Sequence, residues 1–146
     1  MAIKRHISYT DTVIQTYDLA AQWSPQVIAE SKELARPTSE QFRGQCLDFT
    51  HLPFVTIDGD NARDYDDAIC ARNADDGWLL QIAIADVSHY VRPGTELDKA
   101  ARSRGNSTYF ADRVIPMLPE ILSNDLCSLR PDEDRLAIIC LSLIHI

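Results

Sequence analysis

DAICARNADDGWLLQIAIAD, residues 67–86, is the stretch of this sequence that decides the fold. Residues 67–72 and 78–86 have the composition of two β-strands, and NADDG lies between them. Asn, Asp and Gly form tight turns readily because they tolerate backbone conformations that other residues avoid. The stretch therefore predicts a β-hairpin.

Shorter signals on both sides complete the expected fold. Helices are predicted over residues 10–22, from Ser24 to the residue before Pro37, and from Thr95 to Gly105. LPFVTID (52–58) and RLAIICLSLI (135–144) read as strands, STYF and VIPMLP as short extended pieces, and PEILS as one helical turn. We expect an α/β domain of the α+β type, with a mixed, mostly antiparallel sheet and a helical N-terminal lead-in over residues 1–47.

The composition sets limits on location and partners. The 146 residues suit one domain, and no apolar run is long enough to span a membrane. The N-terminus lacks the apolar core of a secretory signal, so we expect a cytoplasmic protein whose four scattered cysteines are reduced and mostly buried. The net charge of −8 argues against tight RNA binding by this chain alone, because phosphate neutralisation needs clustered cations.

An acidic cluster precedes the hairpin. TIDGDNARDYDDA contains Asp58, Asp60, Asp64, Asp66 and Asp67, with Arg63 as its one cation. Like charges this close raise one another's pKa and oppose folding unless cations lie between them. Carboxylate oxygens are typical ligands of Mg²⁺ or Mn²⁺, and two such ions can activate a water for phosphodiester hydrolysis. The cluster therefore predicts a metal site where strand 52–58 ends.

Three alternatives remain open at this point. The first is that the cluster is only a solvated acidic loop that binds no metal. The second, a structural calcium loop, is less favoured because Ala62, Arg63 and Ile69 occupy positions where an EF-hand needs other residues. Asp86 ends the second hairpin strand close to Asp66, where it either supports the site or simply caps the strand end.

Several long motifs, in this order along the chain, resemble one known family. TIDGDNARDYDDA, IAIADVSHYV, GNSTYFADRVIPMLPEILSNDLCSL and DRLAIICL are similar to the RNB catalytic domain of the ribonuclease II family, and within it to the ribonuclease R branch most closely. The resemblance covers most of the chain and assigns residues 48–146 to the N-terminal part of that domain.

The resemblance implies a processive, Mg²⁺-dependent hydrolase that degrades single-stranded RNA from its 3′ end to nucleoside 5′-monophosphates. By position in the motif, Asp58, Asp64, Asp66 and Asp67 match the family's catalytic and metal-binding aspartates, and Asp60 does not. Tyr109 matches a tyrosine that stacks near the 3′-terminal nucleotides, a contact that any base can make. Read from the pattern alone, this tyrosine is equally suited to the core.

Some segments that are typical of the family have no counterpart in this sequence. Family members carry RNA-binding barrels on both sides of a longer catalytic domain, so we expect an N- and C-terminally truncated piece that is inactive alone. The parent enzyme is expected to be monomeric, with no membrane or DNA partner. The rival interpretation is a catalytically inert fragment that binds RNA or protein.

Overall fold

The chain divides into two compact units, each built from two separate stretches. The computed structural model describes residues 8–36 and 40–145. The helical unit comprises the described residues of Met1–Glu33 together with Pro93–Pro119, and the sheet unit comprises those of Leu34–Arg92 and Glu120–Ile146. The named elements, in chain order, are α1 (Tyr9–Thr16), α2 (Pro25–Glu33), β1 (Asp67–Ala74), β2 (Gly77–Ala85), α3 (Val87–Tyr90), α4 (Glu96–Arg104), β3 (Thr108–Tyr109), β4 (Val114–Ile115), a π-helix (Leu122–Leu126) and β5 (Ala137–His145).

In the helical unit, the cap residues read from the sequence mark where α2 and α4 begin. The Ser24 hydroxyl accepts a hydrogen bond from the Val27 amide at the start of α2, and Thr95 caps α4 in the same way. Gly105 ends α4 with a φ of 75°, a conformation that costs glycine little. α2 packs against α4 around the buried side chains of Val27 and Leu97. Both predicted helices are thus confirmed.

The sheet unit contains the predicted hairpin. β1 pairs with β2 in antiparallel register, with Asp67 opposite Ile84 and Ala74 opposite Gly77, so that a two-residue turn joins them. β5 pairs with the other edge of β2, also antiparallel, which gives the strand order β1-β2-β5. In the helical unit, β3 and β4 form a separate antiparallel pair. The α+β class with its antiparallel sheet is confirmed.

Three local predictions were wrong in extent or type. Residues 52–58 form one bridge rather than a strand: Val55 exchanges two backbone hydrogen bonds with Ile69, while Phe54 donates to Leu52 in a local turn. α1 ends at Thr16 instead of residue 22, because the chain turns through a positive φ at Asp18. The predicted turn at PEILS continues into the π-helix.

Other expectations are met in part. α2 ends at Glu33, and Pro37, the predicted stop, lies outside the described residues. All four cysteines are free, but only Cys70 and Cys127 are buried, because Cys46 and Cys140 lie on exposed segments. Across residues 8–36 and 40–145, none of the helices combines the length and apolarity needed to cross a membrane.

Candidate active site

The acidic cluster forms a loop that leads into the first strand of the sheet unit. This aspartate loop, residues 58–67, follows the bridge residue Val55 and leads into β1, where Ile69 is the partner of Val55. Asp58 and Asp67 are exposed and Asp64 is half-buried, whereas Asp66 keeps an exposed surface but is partly desolvated by its neighbours. The backbone carbonyl of Asp66 accepts a hydrogen bond of 2.9 Å from Ala85, at the end of β2. The hairpin therefore fixes the C-terminal end of the loop.

Three of the aspartates predicted to form the site act electrostatically on the fourth, Asp66. The pKa of Asp66 is raised above its usual value, first by partial burial and then by repulsion from Asp64, Asp67 and Asp58. Burial and like charges both disfavour a carboxylate, so a cation placed among these groups would relieve the repulsion. Asp60, which does not match one of the family's active-site aspartates, is not among the charges that raise the pKa of Asp66.

The aspartates predicted to bind metal do not converge on one point in this structure. The described part of the chain contains no group of three or more His, Cys, Asp or Glu side chains arranged to hold a metal ion. The donor set nevertheless fits a hard cation, since it offers carboxylate oxygens only. The aspartates thus share a loop and an electrostatic field, and their individual roles stay predictions.

A buried serine that the sequence reading did not single out fastens this loop from the other side. The amide of Tyr65 donates to the Ser128 hydroxyl at 3.2 Å, and that hydroxyl donates to the carbonyl of Arg63 at 2.7 Å. The amide of Leu129 donates to the Tyr65 carbonyl at 2.9 Å. The only signal in the sequence is that Ser128 belongs to GNSTYFADRVIPMLPEILSNDLCSL, one of the motifs that carry the family resemblance.

A network of ion pairs holds the segment that follows Ser128. Arg36, Arg130 and Arg135 contact the carboxylates of Asp125 and Glu133 at distances from 2.6 to 3.5 Å. The Arg135 side chain is only 4% exposed, so its charge is poorly screened by water. Hydrogen bonds and charge, chiefly from Arg135, lower the pKa of Glu133 to about 2. The network ties residues 125–135 together.

A groove opens beside the aspartate loop within the same unit. Its volume is about 560 Å³, and its lining includes Arg63 and Tyr65 from the aspartate loop together with Asn124 and Arg130. The groove therefore combines cationic, aromatic and amide groups next to the acidic cluster.

The two remaining candidate residues, Asp86 and Tyr109, have different surroundings in the structure. Asp86 caps α3, since its carboxylate accepts hydrogen bonds from the Ser88 hydroxyl at 2.6 Å and the His89 amide at 3.2 Å. A further role in the site stays a prediction. Tyr109 lies on β3 of the helical unit and is 69% exposed, which rules out the reading as a core tyrosine. Its role as an RNA contact is still to be tested.

Comparisons with known proteins find one family model and a set of similar relatives that agree with each other. The RNB domain family model matches residues 46–145. The chain is 48% identical over 132 residues to ribonuclease R of Vibrio parahaemolyticus, and 48% identical over 131 residues to that of Escherichia coli, covering 90% and 89% of this chain. It spans 16% of the length of each of these relatives.

Solved structures of similar proteins have the same fold. Ribonuclease R of Mycoplasma genitalium in complex with double-stranded RNA superimposes with a TM-score of 0.82 at 36% identity, over 88% of this chain and 23% of that one. Its apo form gives 0.84 at the same identity, over 91% of this chain and 21% of the other. A third structure, with ribose-methylated single-stranded RNA, gives 0.82 at 36% identity, over 88% and 20%.

Proposed function

Because this chain belongs to the RNB domain family, we propose that it carries the metal-binding part of the active site of a hydrolytic 3′-to-5′ exoribonuclease. The observation that carries the proposal is that Asp58, Asp64 and Asp67 lie close enough to Asp66 to repel its charge, and all four occupy positions that match the family's motif. A cation placed among acidic groups arranged in this way favours their charged forms. Similarity to ribonuclease R relatives supports RNA as the substrate.

Mg²⁺, or Mn²⁺ in its place, is the metal that these residues fit. Asp58 and Asp67 would bind it directly, Asp66 would take part in catalysis beside them, and Asp64 would help to order the metal ions. The bound ions would supply an activated water and stabilisation of the leaving oxygen. The chain's own contribution is an all-oxygen ligand set on a loop whose C-terminal end is fixed by the Asp66–Ala85 hydrogen bond.

The proposed substrate is single-stranded RNA, which is degraded from its 3′ end. Tyr109 offers an exposed aromatic ring on which a terminal base could stack whatever its identity. Contacts of this kind suit degradation that is processive and blind to sequence, with nucleoside 5′-monophosphates as products. We place the parent enzyme in the cytoplasm as a monomer, with no DNA or membrane partner.

A chimera tests the catalytic assignment. Residues 46–145 replace the matching segment of Escherichia coli ribonuclease R, and hydrolysis of 5′-labelled single-stranded RNA is measured with Mg²⁺. Asp66→Asn should reduce turnover by at least about 100-fold, more than the usual loss for a residue that only supports a ligand, while RNA binding is retained. Asp60→Asn is the matched control, since Asp60 is an aspartate of the same loop that does not act on Asp66.

Two results would count against the proposal. Full turnover in the Asp66→Asn chimera would remove the catalytic assignment, and equal losses in both variants would mean that any charge change in the loop is harmful. A parent chimera that binds RNA but never hydrolyses it would favour the alternative of an inert interaction segment. The net charge of −8 makes that alternative reasonable for the chain by itself.

A further inference from the structure

We propose that Ser128 is a positioning residue that clamps the aspartate loop and sets where its carboxylates lie. The inference rests on the proposed function, which it deepens by naming the group that holds the metal-binding residues in place. Ser128 is fully buried and lies 63 residues away in sequence from Tyr65, one of the two loop residues to which its hydroxyl is hydrogen-bonded. Its side-chain hydroxyl is hydrogen-bonded to backbone atoms of the loop, so its effect on the carboxylates is indirect.

The hydroxyl of Ser128 controls both peptide groups of Asp64. The carbonyl of Arg63 belongs to the peptide before Asp64, and the amide of Tyr65 belongs to the peptide after it. Ser128 donates to the first at 2.7 Å and accepts from the second at 3.2 Å. A serine hydroxyl has one proton to donate and lone pairs to accept, so one side chain makes both contacts. The backbone torsions of Asp64 are thereby restrained from both sides.

The neighbouring hydrogen bonds extend the same restraint to Asp66. The Tyr65 carbonyl, in the peptide before Asp66, accepts from the Leu129 amide at 2.9 Å, directly after Ser128. The Asp66 carbonyl, in the peptide after it, accepts from Ala85 at 2.9 Å. Every peptide group from Asp64 to Asp67 thus has a partner outside the loop.

The segment that carries Ser128 is well anchored, as a clamp requires. Leu122, Leu126 and Cys127 are buried on the same segment, and the Ser128 amide donates to the Asp125 carbonyl at 3.1 Å. The ion pairs between Asp125 and three arginines fix the segment further. Mutual repulsion among the aspartates favours a more open loop, and the clamp opposes it.

A matched set of variants separates positioning from simple structural support. Ser128→Ala removes both hydroxyl contacts, and Ser128→Thr keeps the hydroxyl. Ser31→Ala is the control: Ser31 is also buried and donates to a carbonyl at 2.7 Å, but that carbonyl is Val27 in its own helix. Each chain is examined by amide hydrogen exchange and by Mn²⁺ titration, two readouts that require no enzymatic activity.

Ser128→Ala should speed hydrogen exchange at the Tyr65 amide by about tenfold or more. The loss of a hydrogen bond to a buried group changes the local opening equilibrium by about that factor. Exchange in β1 should not change. Mn²⁺ binding should weaken by about 10- to 100-fold, the usual effect of removing a group that orients a metal ligand. Ser128→Thr should restore both properties, and Ser31→Ala should leave both unchanged.

Loss of protection throughout the sheet unit in Ser128→Ala, or an unfolded circular-dichroism spectrum, would overturn the inference and make Ser128 a residue of the general fold. Unchanged exchange at Tyr65 would overturn it too. Failure of the parent chain itself to bind Mn²⁺ would instead count against the proposed function, because the exchange data alone decide whether Ser128 clamps the loop.

Discussion

Replacing Leu122 with alanine should open the segment that supports the aspartate loop. Leu122 is 0% exposed and begins the π-helix that leads to Ser128. Its neighbour Ile121 is 37% exposed, so a substitution there removes an aliphatic side chain of the same size from a partly solvated position. The pair isolates the effect of burial.

The expected difference follows from the energetics of buried side chains. Leu→Ala at a fully buried site costs about 3 kcal/mol, within a range of roughly 2 to 5, from lost transfer energy and the cavity left behind. For the partly solvated Ile121 we expect a cost of about 1 kcal/mol, since less apolar surface is returned to water. A difference of about 2 kcal/mol corresponds to a factor of roughly 30 in an opening equilibrium.

The thiol of Cys127 reports this opening directly. It is buried next to Leu126, and burial, together with the negative charges of Asp66 and Asp86, raises its pKa to about 12. At pH 8 the folded thiol is therefore almost fully protonated, and a disulfide reagent reacts with it only after the segment opens. The exposed Cys46 and Cys140 react in an initial burst that serves as an internal reference.

Leu122→Ala should accelerate the slow phase of labelling by about 150-fold relative to the parent chain, and Ile121→Ala by about fivefold. Denaturant unfolding followed by circular dichroism gives the two free energies independently. Equal effects of the two substitutions, or fast labelling of Cys127 in the parent chain, would refute the packing described for this segment.

Two further predictions concern charge and backbone geometry. Because the pKa of Glu133 is lowered to about 2 from a usual 4.5, chiefly by Arg135, its stabilising contribution is complete above about pH 4.5 and disappears as the pH falls towards 2. Glu133→Gln should thus lower the urea midpoint at pH 7 but hardly at pH 2, and a difference independent of pH would contradict this. Gly77→Ala should destabilise the chain by at least about 2 kcal/mol, because φ is +150° and a Cβ would overlap the carbonyl oxygen of Ile144. Gly59→Ala, where a Cβ meets nothing within 4 Å, should change the unfolding free energy little, and similar effects at both glycines would show that strand β5 is not packed as described.

The sequence determined the features that depend on residues close to one another along the chain. NADDG set the hairpin turn, Ser24 and Thr95 set the starts of two helices, and Gly105 set the end of one. A turn or a cap forms through hydrogen bonds within three or four residues, so its signal is present in a short window. The grouping of the aspartates is likewise a property of the sequence, since they lie within ten positions.

The extent of a strand and the type of a helix could not be predicted from such short stretches of sequence. Residues 52–58 have the composition of a strand, but the structure gives them one bridge to Ile69, because pairing depends on where a partner strand lies. The extent of this strand is therefore set by tertiary context.

The sequence by itself thus determined which carboxylates are crowded together, and the tertiary structure decided what holds them. Ser128 binds the backbone at Arg63 and Tyr65 across 65 and 63 residues, a separation at which no local pattern specifies a partner. The raised pKa of Asp66 likewise depends on burial as well as on its acidic neighbours. Burial and long-range hydrogen bonds exist only once the chain has folded, because both require surfaces that come from distant segments.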